Sequence, residues 1–209
     1  MQKKYVTILE PGIGEIIEKK SRFIGYIKPV TTEEEAMAFI AEISKKHWDA
    51  THNVYAYNIK NGNISRCCDD GEPAKTAGAP VLDVILKEEI TDVVIVVTRY
   101  FGGTLLGTGG LVKAYSKAAK VAVEKAGIVT MTESAEFILS IPYTLLGKCE
   151  NEFRSFDVIL QKKEFSDDVN IMAICKNQDF ERLCDKLREI SNGKNIPVKT
   201  REIFYGFKE

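Results

Sequence analysis

The chain has 209 residues, enough for one large domain or two small ones. At 44% hydrophobic and 28% charged, with a net charge of −1, it is neither a disordered chain nor one coated all round in basic charge. No apolar run approaches the roughly 20 residues that span a bilayer, and residues 1–6 hold no signal-peptide core, so a cytoplasmic protein with no membrane partner is expected.

Residues 5–9 and 13–17 read as strands on either side of the Pro11-Gly12 turn, and residues 23–27 as a third. Glu33–Lys46 reads as a helix capped by Thr32, with Ala36, Phe39, Ile40 and Ile43 on one face. A strand over 54–59 ends in the turn Lys60-Asn-Gly-Asn63, and Arg66-Cys-Cys-Asp-Asp-Gly-Glu-Pro73 then clusters charge with turn residues. Within 76–87 a helix is expected after Pro80, burying Val81, Leu82, Val84 and Ile85. Residues 93–98 are almost continuously apolar, as suits a central strand. After a glycine-rich loop, a helix runs from about Leu111 to Ala126 and stops at Gly127.

A second pattern starts near Thr132. Residues 135–141 form a strand limited by Pro142, and 143–153 place Leu145, Leu146, Cys149 and Phe153 at helical spacing. Residues 156–164 and 169–175 make a hairpin around Asp167-Asp168. Residues 179–190 put Phe180, Leu183, Cys184, Leu187 and Ile190 on one helical face, and 198–207 close as a strand. The order β-α-β-β-α-β is the ferredoxin-like arrangement, so the fold expected is α+β in two domains, 1–131 and 132–209.

Two stretches carry the functional signal. Gly102, Gly103, Gly107, Gly109 and Gly110, with Thr108, form a strand-to-helix turn that brings backbone N–H groups close to an anion, with Arg99 and Lys113 beside it. The turn lacks GxxxxGK[ST] and does not complete GxGxxG, so neither a P-loop nor a dinucleotide site is expected. Tight turns and close helix packing are the competing use of these glycines. In the acidic stretch, Asp69, Asp70 and Glu72 supply hard oxygen ligands for Mg²⁺ or, equally, organise a turn. Cys67 and Cys68 have no zinc-type spacing, and Cys149, Cys175 and Cys184 read as buried small hydrophobes. His52 opens a strand as a phosphate contact, a proton-transfer group or, equally, a hydrogen-bond donor that fixes the strand entrance; His47 caps a helix, and Tyr55, Tyr57, Tyr100 and Phe101 stack on bases if exposed or else pack in the core. No G-x-S-x-G elbow or Cys–His pair is present, and catalytic residues are left unassigned.

The motifs Lys20-Ser-Arg-Phe-Ile-Gly25, Thr51-His52, Asp69-Asp-Gly-Glu-Pro73, Thr76-Ala-Gly78, Thr98-Arg-Tyr-Phe-Gly-Gly103, Leu106-Gly-Thr-Gly-Gly-Leu-Val112 and Ala114-Tyr-Ser116 closely resemble the YigZ/IMPACT family over the full chain. The resemblance implies an N-terminal domain like domain 2 of ribosomal protein S5. It also implies a ferredoxin-like C-terminal domain like domain V of elongation factor G, and an association with translational regulation. Val54 stands where relatives often have cysteine, and Ala74-Lys75 where Ser-Gly is common, so a universal cysteine mechanism does not carry over.

The leading expectation is an RNA- or ribosome-binding protein. Arg66, Lys75, Arg99 and Lys113 would meet phosphates, the loop from Gly102 to Gly110 would allow close backbone approach, and His52 would tune the contact. The alternative is a metal-assisted enzyme acting on a phosphorylated or nucleotide-like substrate. There Asp69, Asp70 and Glu72 hold Mg²⁺, Arg99 and Lys113 hold the anion, and His52 moves the proton. The third reading is a protein-binding module on the same surface. No resident cofactor or metal is expected in the leading reading.

Overall fold

In the computed structural model, which describes residues 4–207, the chain is α+β and divides into a unit of Tyr5–Thr130 and a second unit built on residues from Met131 onward, with which Lys4 groups. The outermost ends of the expected domain spans, residues 1–3 and 208–209, lie outside the described residues.

The first unit is organised by one strand. β6 (Val93–Tyr100) is apolar at successive positions because both of its faces are covered. Val93, Ile95 and Val97 enter a core shared with α2 (Gly78–Lys87) and α3 (Thr108–Ala126), while Val94 and Val96 enter one shared with α1 (Glu33–Lys46). Around β6 stand β2 (Gly12–Glu18), β3 (Ser21–Pro29), β4 (His52–Ile59) and β5 (Ile64–Cys68), in the antiparallel order β2-β3-β6-β4-β5. The start of α1 follows from its cap: Thr32 Oγ1 accepts from the Glu35 N–H at 3.2 Å, and the Glu35 carboxylate takes the Thr31 N–H at 2.7 Å.

Several boundaries differ from the sequence expectation. β5 was not expected, because this edge strand is largely exposed and shows no alternation; the turn at Lys60–Asn63 instead folds it onto β4, with Ile64 opposite Ile59. α2 starts at Gly78, ahead of Pro80, since a first-turn N–H has no intrahelical acceptor and proline there loses no ladder bond. α3 starts at Thr108, its first turn masked in the sequence by Gly109 and Gly110. β1 (Lys4–Ile8) does not pair with β2; Val6 makes a parallel bridge with Ile90, and its carbonyl accepts from Thr91 at 2.9 Å.

The second unit runs β7 (Ile128–Ile141), α4 (Leu146–Ser155), β8 (Ile159–Phe165), β9 (Val169–Lys176), α5 (Phe180–Ile190) and β10 (Val198–Gly206). Its sheet has the order β7-β9-β8, with β10 also paired to β7. Phe137, Phe153, Phe180, Leu183 and Leu187 fill the core, the Phe137 ring centroid lying 6.3 Å from Phe153 and 5.8 Å from Phe180. Cys149, Cys175 and Cys184 are buried thiols there. Residues 156–158, expected in the hairpin, belong to the exit from α4, where the Phe156 and Val158 N–H groups bond back to Glu152 and Phe153. No helix among the described residues is long and apolar enough to cross a membrane.

Candidate functional site

Strand parity brings the first group together. Side chains alternate along a strand, so Arg99 continues the row of Val93, Ile95 and Val97 toward α3. Its register neighbours are His52 on β4 and Phe23 on β3. Phe23 packs edge-on against Tyr115 of α3, with centroids 5.1 Å apart, and the Arg99 guanidinium carbon lies 5.4 Å from the Phe23 ring and 5.6 Å from that of Phe101.

Into this pocket of rings the acidic loop delivers one carboxylate. Glu72 Oε1 accepts from Arg99 Nη1 at 2.5 Å and from the Tyr115 hydroxyl at 2.7 Å, all three residues being buried. Burial, and then the neighbouring carboxylate, push the Tyr115 hydroxyl far up, which keeps it a donor. Arg99 Nε is a buried donor with no partner among the described residues. His52 Nδ1 must donate to the Asp70 carbonyl, 2.7 Å away, and this leaves Nε2 turned toward Glu72 Oε1 at 3.8 Å.

The three acids therefore have three separate duties. Asp69 accepts the N–H groups of Lys75, Ala77 and Gly78 at 2.8, 3.1 and 2.8 Å and caps α2 from a distance in sequence, a task Ala77 cannot perform. Asp70 takes the Asn53 N–H at 2.5 Å, and Glu72 holds Arg99 and Tyr115. They do not converge as a Mg²⁺ site, and among the described residues no three His, Cys, Asp or Glu side chains are grouped to hold a metal.

Partial burial alone would raise the Asp69 carboxyl; the N–H donors of Lys75, Gly78 and Ala77 outweigh it and hold the group below the usual carboxylate range. Because the folded-state value lies below the unfolded one, the cap contributes fully above about pH 4 and is lost as pH falls through the folded value. Asp69→Ala should cost about 2 kcal/mol near neutrality. In urea titrations its deficit should shrink as pH falls through the folded value, whereas a deficit independent of pH would mean that packing, not the charged cap, was lost.

The remaining expected residues scatter. Arg66 lies opposite Tyr57, on the α1 face of the sheet, and so does not join Arg99. Arg99 itself, expected to meet a phosphate, is turned inward and neutralised by Glu72. Lys75 and Lys113 are exposed. Of the aromatic residues named for base stacking, Tyr57 is buried, Tyr55 and Tyr100 are half-buried, and Phe101 is exposed. His47 ends α1 with its N–H on the Ile43 carbonyl, while its ring bridges Tyr26 and Tyr100 at 2.7 and 2.9 Å. Tyr115, which no charge or spacing signal marked, is the residue missed in the buried group.

The glycines of the β6–α3 loop divide by purpose. A Cβ on Gly102 would lie 2.0 Å from the Lys20 carbonyl carbon, and one on Gly110 would lie 2.9 Å from Leu106 Cβ. Gly103 and Gly107 have φ of +79° and +74°, which glycine adopts without strain. Gly109 has neither reason: its φ is not positive and nothing lies within 4 Å of its added Cβ. Glycine inside a helix costs about 1 kcal/mol relative to alanine. The first-turn N–H groups of Thr108, Gly109 and Gly110 have no intrahelical acceptor, the ladder closing first from Leu111 to the Gly107 carbonyl at 3.0 Å.

Comparison with known proteins places this geometry in a family. Residues 19–123 match the model described as the Impact N-terminal domain, and residues 139–194 match a domain of unknown function (DUF1949). The chain is 40% identical over 206 residues to "IMPACT family member YvyE" of Bacillus subtilis, covering 98% of this chain and 94% of that one. It is 36% identical over 149 residues to "IMPACT family member YigZ" of Escherichia coli, covering 66% and 73%. A solved structure titled "Crystal structure of an hypothetical protein" aligns with a TM-score of 0.60 at 28% identity, over 96% of this chain and 99% of that one. With the first model spanning the buried Glu72–Arg99–Tyr115 group and the glycine loop alike, the chain belongs to the IMPACT/YigZ family.

Proposed function

We propose that the chain is an RNA- or ribosome-binding protein acting in translational regulation, and that it meets phosphate at the β6–α3 loop. One observation carries the reading. Gly109, in the first turn of α3, forgoes up to about 1 kcal/mol of helix propensity although a Cβ there would meet nothing within 4 Å, and it stands at the positive end of a helix of 19 residues. That α3 has no acid in its first turn and presents Lys113 one turn later supports the same ligand charge. In this reading the buried Glu72–Arg99–Tyr115 group is the anchor that holds the loop ends rigid. The metal-assisted alternative loses its ligand set once Asp69, Asp70 and Glu72 have separate partners.

The reading extends to the folds. The second unit is taken as ferredoxin-like, like domain V of elongation factor G, supported by the strand order β10-β7-β9-β8 and its element succession. The first is taken as like domain 2 of ribosomal protein S5, on the strength of the family resemblance alone.

Filter-binding titrations over salt, with structured RNA, single-stranded RNA and ribosomal particles, test the function. Binding should weaken steeply with salt. Gly109→Ala should leave the protein as stable or up to about 1 kcal/mol more stable while weakening binding, the separation expected of a residue kept for a ligand. Absence of binding to every one of these at low salt would defeat the proposal.

A further inference from the structure

The solvent face of α3 carries a row of charge that the loop alone does not explain. Lys113, Lys117 and Lys120 are exposed, and at about 100° per residue they fall within about 60° of one another around the helix. They stand at about 0, 6 and 10 Å along its axis. Gly109 lies on the same row, one turn before Lys113, so the lysines continue the line of the open first turn. Among the described residues none of the three lysines has an ion-pair or hydrogen-bond partner, and the first acid along α3 is Glu124. At the entry to the loop, Phe101 is 47% exposed, with its backbone fixed by an N–H bond to Thr51 Oγ1 at 3.2 Å.

We propose that this row binds a single-stranded nucleic-acid segment, the lysines meeting successive phosphates and Phe101 receiving one unstacked base. The inference rests on the RNA-binding reading above and deepens it by naming the strandedness and the surface. A straight row of cations follows the phosphates of an extended strand, whereas those of a duplex strand wind away from it. The Phe101 ring lies 5.6 Å from the Arg99 guanidinium carbon and yet stays 47% exposed, and that exposed face can take a base only when the base is unpaired. An acidic protein is the poorer partner: between Lys113 and Lys120 the row offers Ser116, and the exposed apolar side chains Phe101, Leu105 and Val112 stand before Lys113 rather than at its centre.

Fluorescence anisotropy with an unpaired RNA of about 12 nucleotides, the same sequence as DNA, and a duplex tests it. The single strand should bind at least about 10-fold tighter than the duplex. Replacing all three lysines (Lys113→Gln, Lys117→Gln, Lys120→Gln) should flatten the slope of log affinity against log salt by about 2, since each phosphate contact on a single strand contributes about 0.7. Phe101→Ala should lower affinity about 10-fold at an unchanged slope, because stacking releases no counterions. The triple Lys→Arg variant keeps the charge and should keep the slope, so a folding defect is distinguished from a lost contact. RNA binding by the unaltered protein with a slope unmoved in the glutamine variant would overturn this surface and leave the RNA-binding reading standing. Equal affinity for duplex, or displacement of RNA by poly-aspartate at equal charge, would overturn the single-strand assignment. Failure to bind any RNA would remove both. Comparable RNA and DNA affinities would support the phosphate row, and an RNA preference would add 2′-hydroxyl contacts to it.

Discussion

Glu72→Ala should strip about 3–5 kcal/mol of stability from the first unit, the range for removing one partner of a buried ion pair. The Glu72 and Arg99 side chains are 3% and 6% exposed, so water cannot replace the lost carboxylate. Arg99 Nε already lacks an acceptor, and the variant would leave Nη1 and the Tyr115 hydroxyl without theirs as well. Since a domain's whole stability is about 5–15 kcal/mol, this single change should bring the unit close to unfolding. Urea unfolding, read by hydrogen exchange at the amides of β4 and β6, measures it, with the amides of β9 as an internal reference. A loss under about 1 kcal/mol would mean that water screens the pair. Pairing Glu72→Leu with Arg99→Met should recover most of the deficit, because the desolvation cost of both charges disappears together.

The second large effect is expected at Gly102→Ala. The new methyl group would sit 2.0 Å from the Lys20 carbonyl carbon, 2.2 Å from its oxygen and 2.3 Å from the Ser21 nitrogen, all backbone atoms that no rotamer change can move. Either β3 or the loop must shift, and the Gly102 N–H bond to Ser21 Oγ at 3.1 Å would be lost with it. Overpacking of this kind costs about 1–3 kcal/mol and at times more, and the rigid backbone on the far side argues for the upper end. Thermal melting compared with Gly109→Ala is the sharpest measurement, because Gly102→Ala should lower the midpoint while Gly109→Ala leaves it unchanged or raises it. Similar midpoints for the two variants would refute the division of the loop into packing and ligand-facing glycines.

The elements that could be read directly were those whose burial imposes a period. Glu33–Lys46 appears in the structure with the boundaries its cap and apolar stripe dictate. The run 93–98 is the doubly covered centre of its sheet because no alternation survives when both faces are buried. β5 escaped notice for the converse reason: an exposed edge strand has no core face to leave a period. Lys117 and Lys120 were legible at i+4 and i+7 from Lys113, but such spacing has meaning only once the opposite face of α3 is known to be buried.

Composition and periodicity, then, were sufficient for an α+β chain, a central strand, and a glycine loop leading into a helix, since each follows from local burial and turn chemistry. Which charges face inward was decided by tertiary structure alone. Arg99 reads in the sequence as a cation beside a glycine loop; strand parity turns it toward α3, and its partner Glu72 comes from 27 residues away. Arg66 reads as its companion, yet register places it on the other face of the sheet. A carboxylate becomes an anchor, a cap or a ligand according to which N–H, hydroxyl or guanidinium the fold brings within about 3 Å, and that distance is set by contacts remote in the chain.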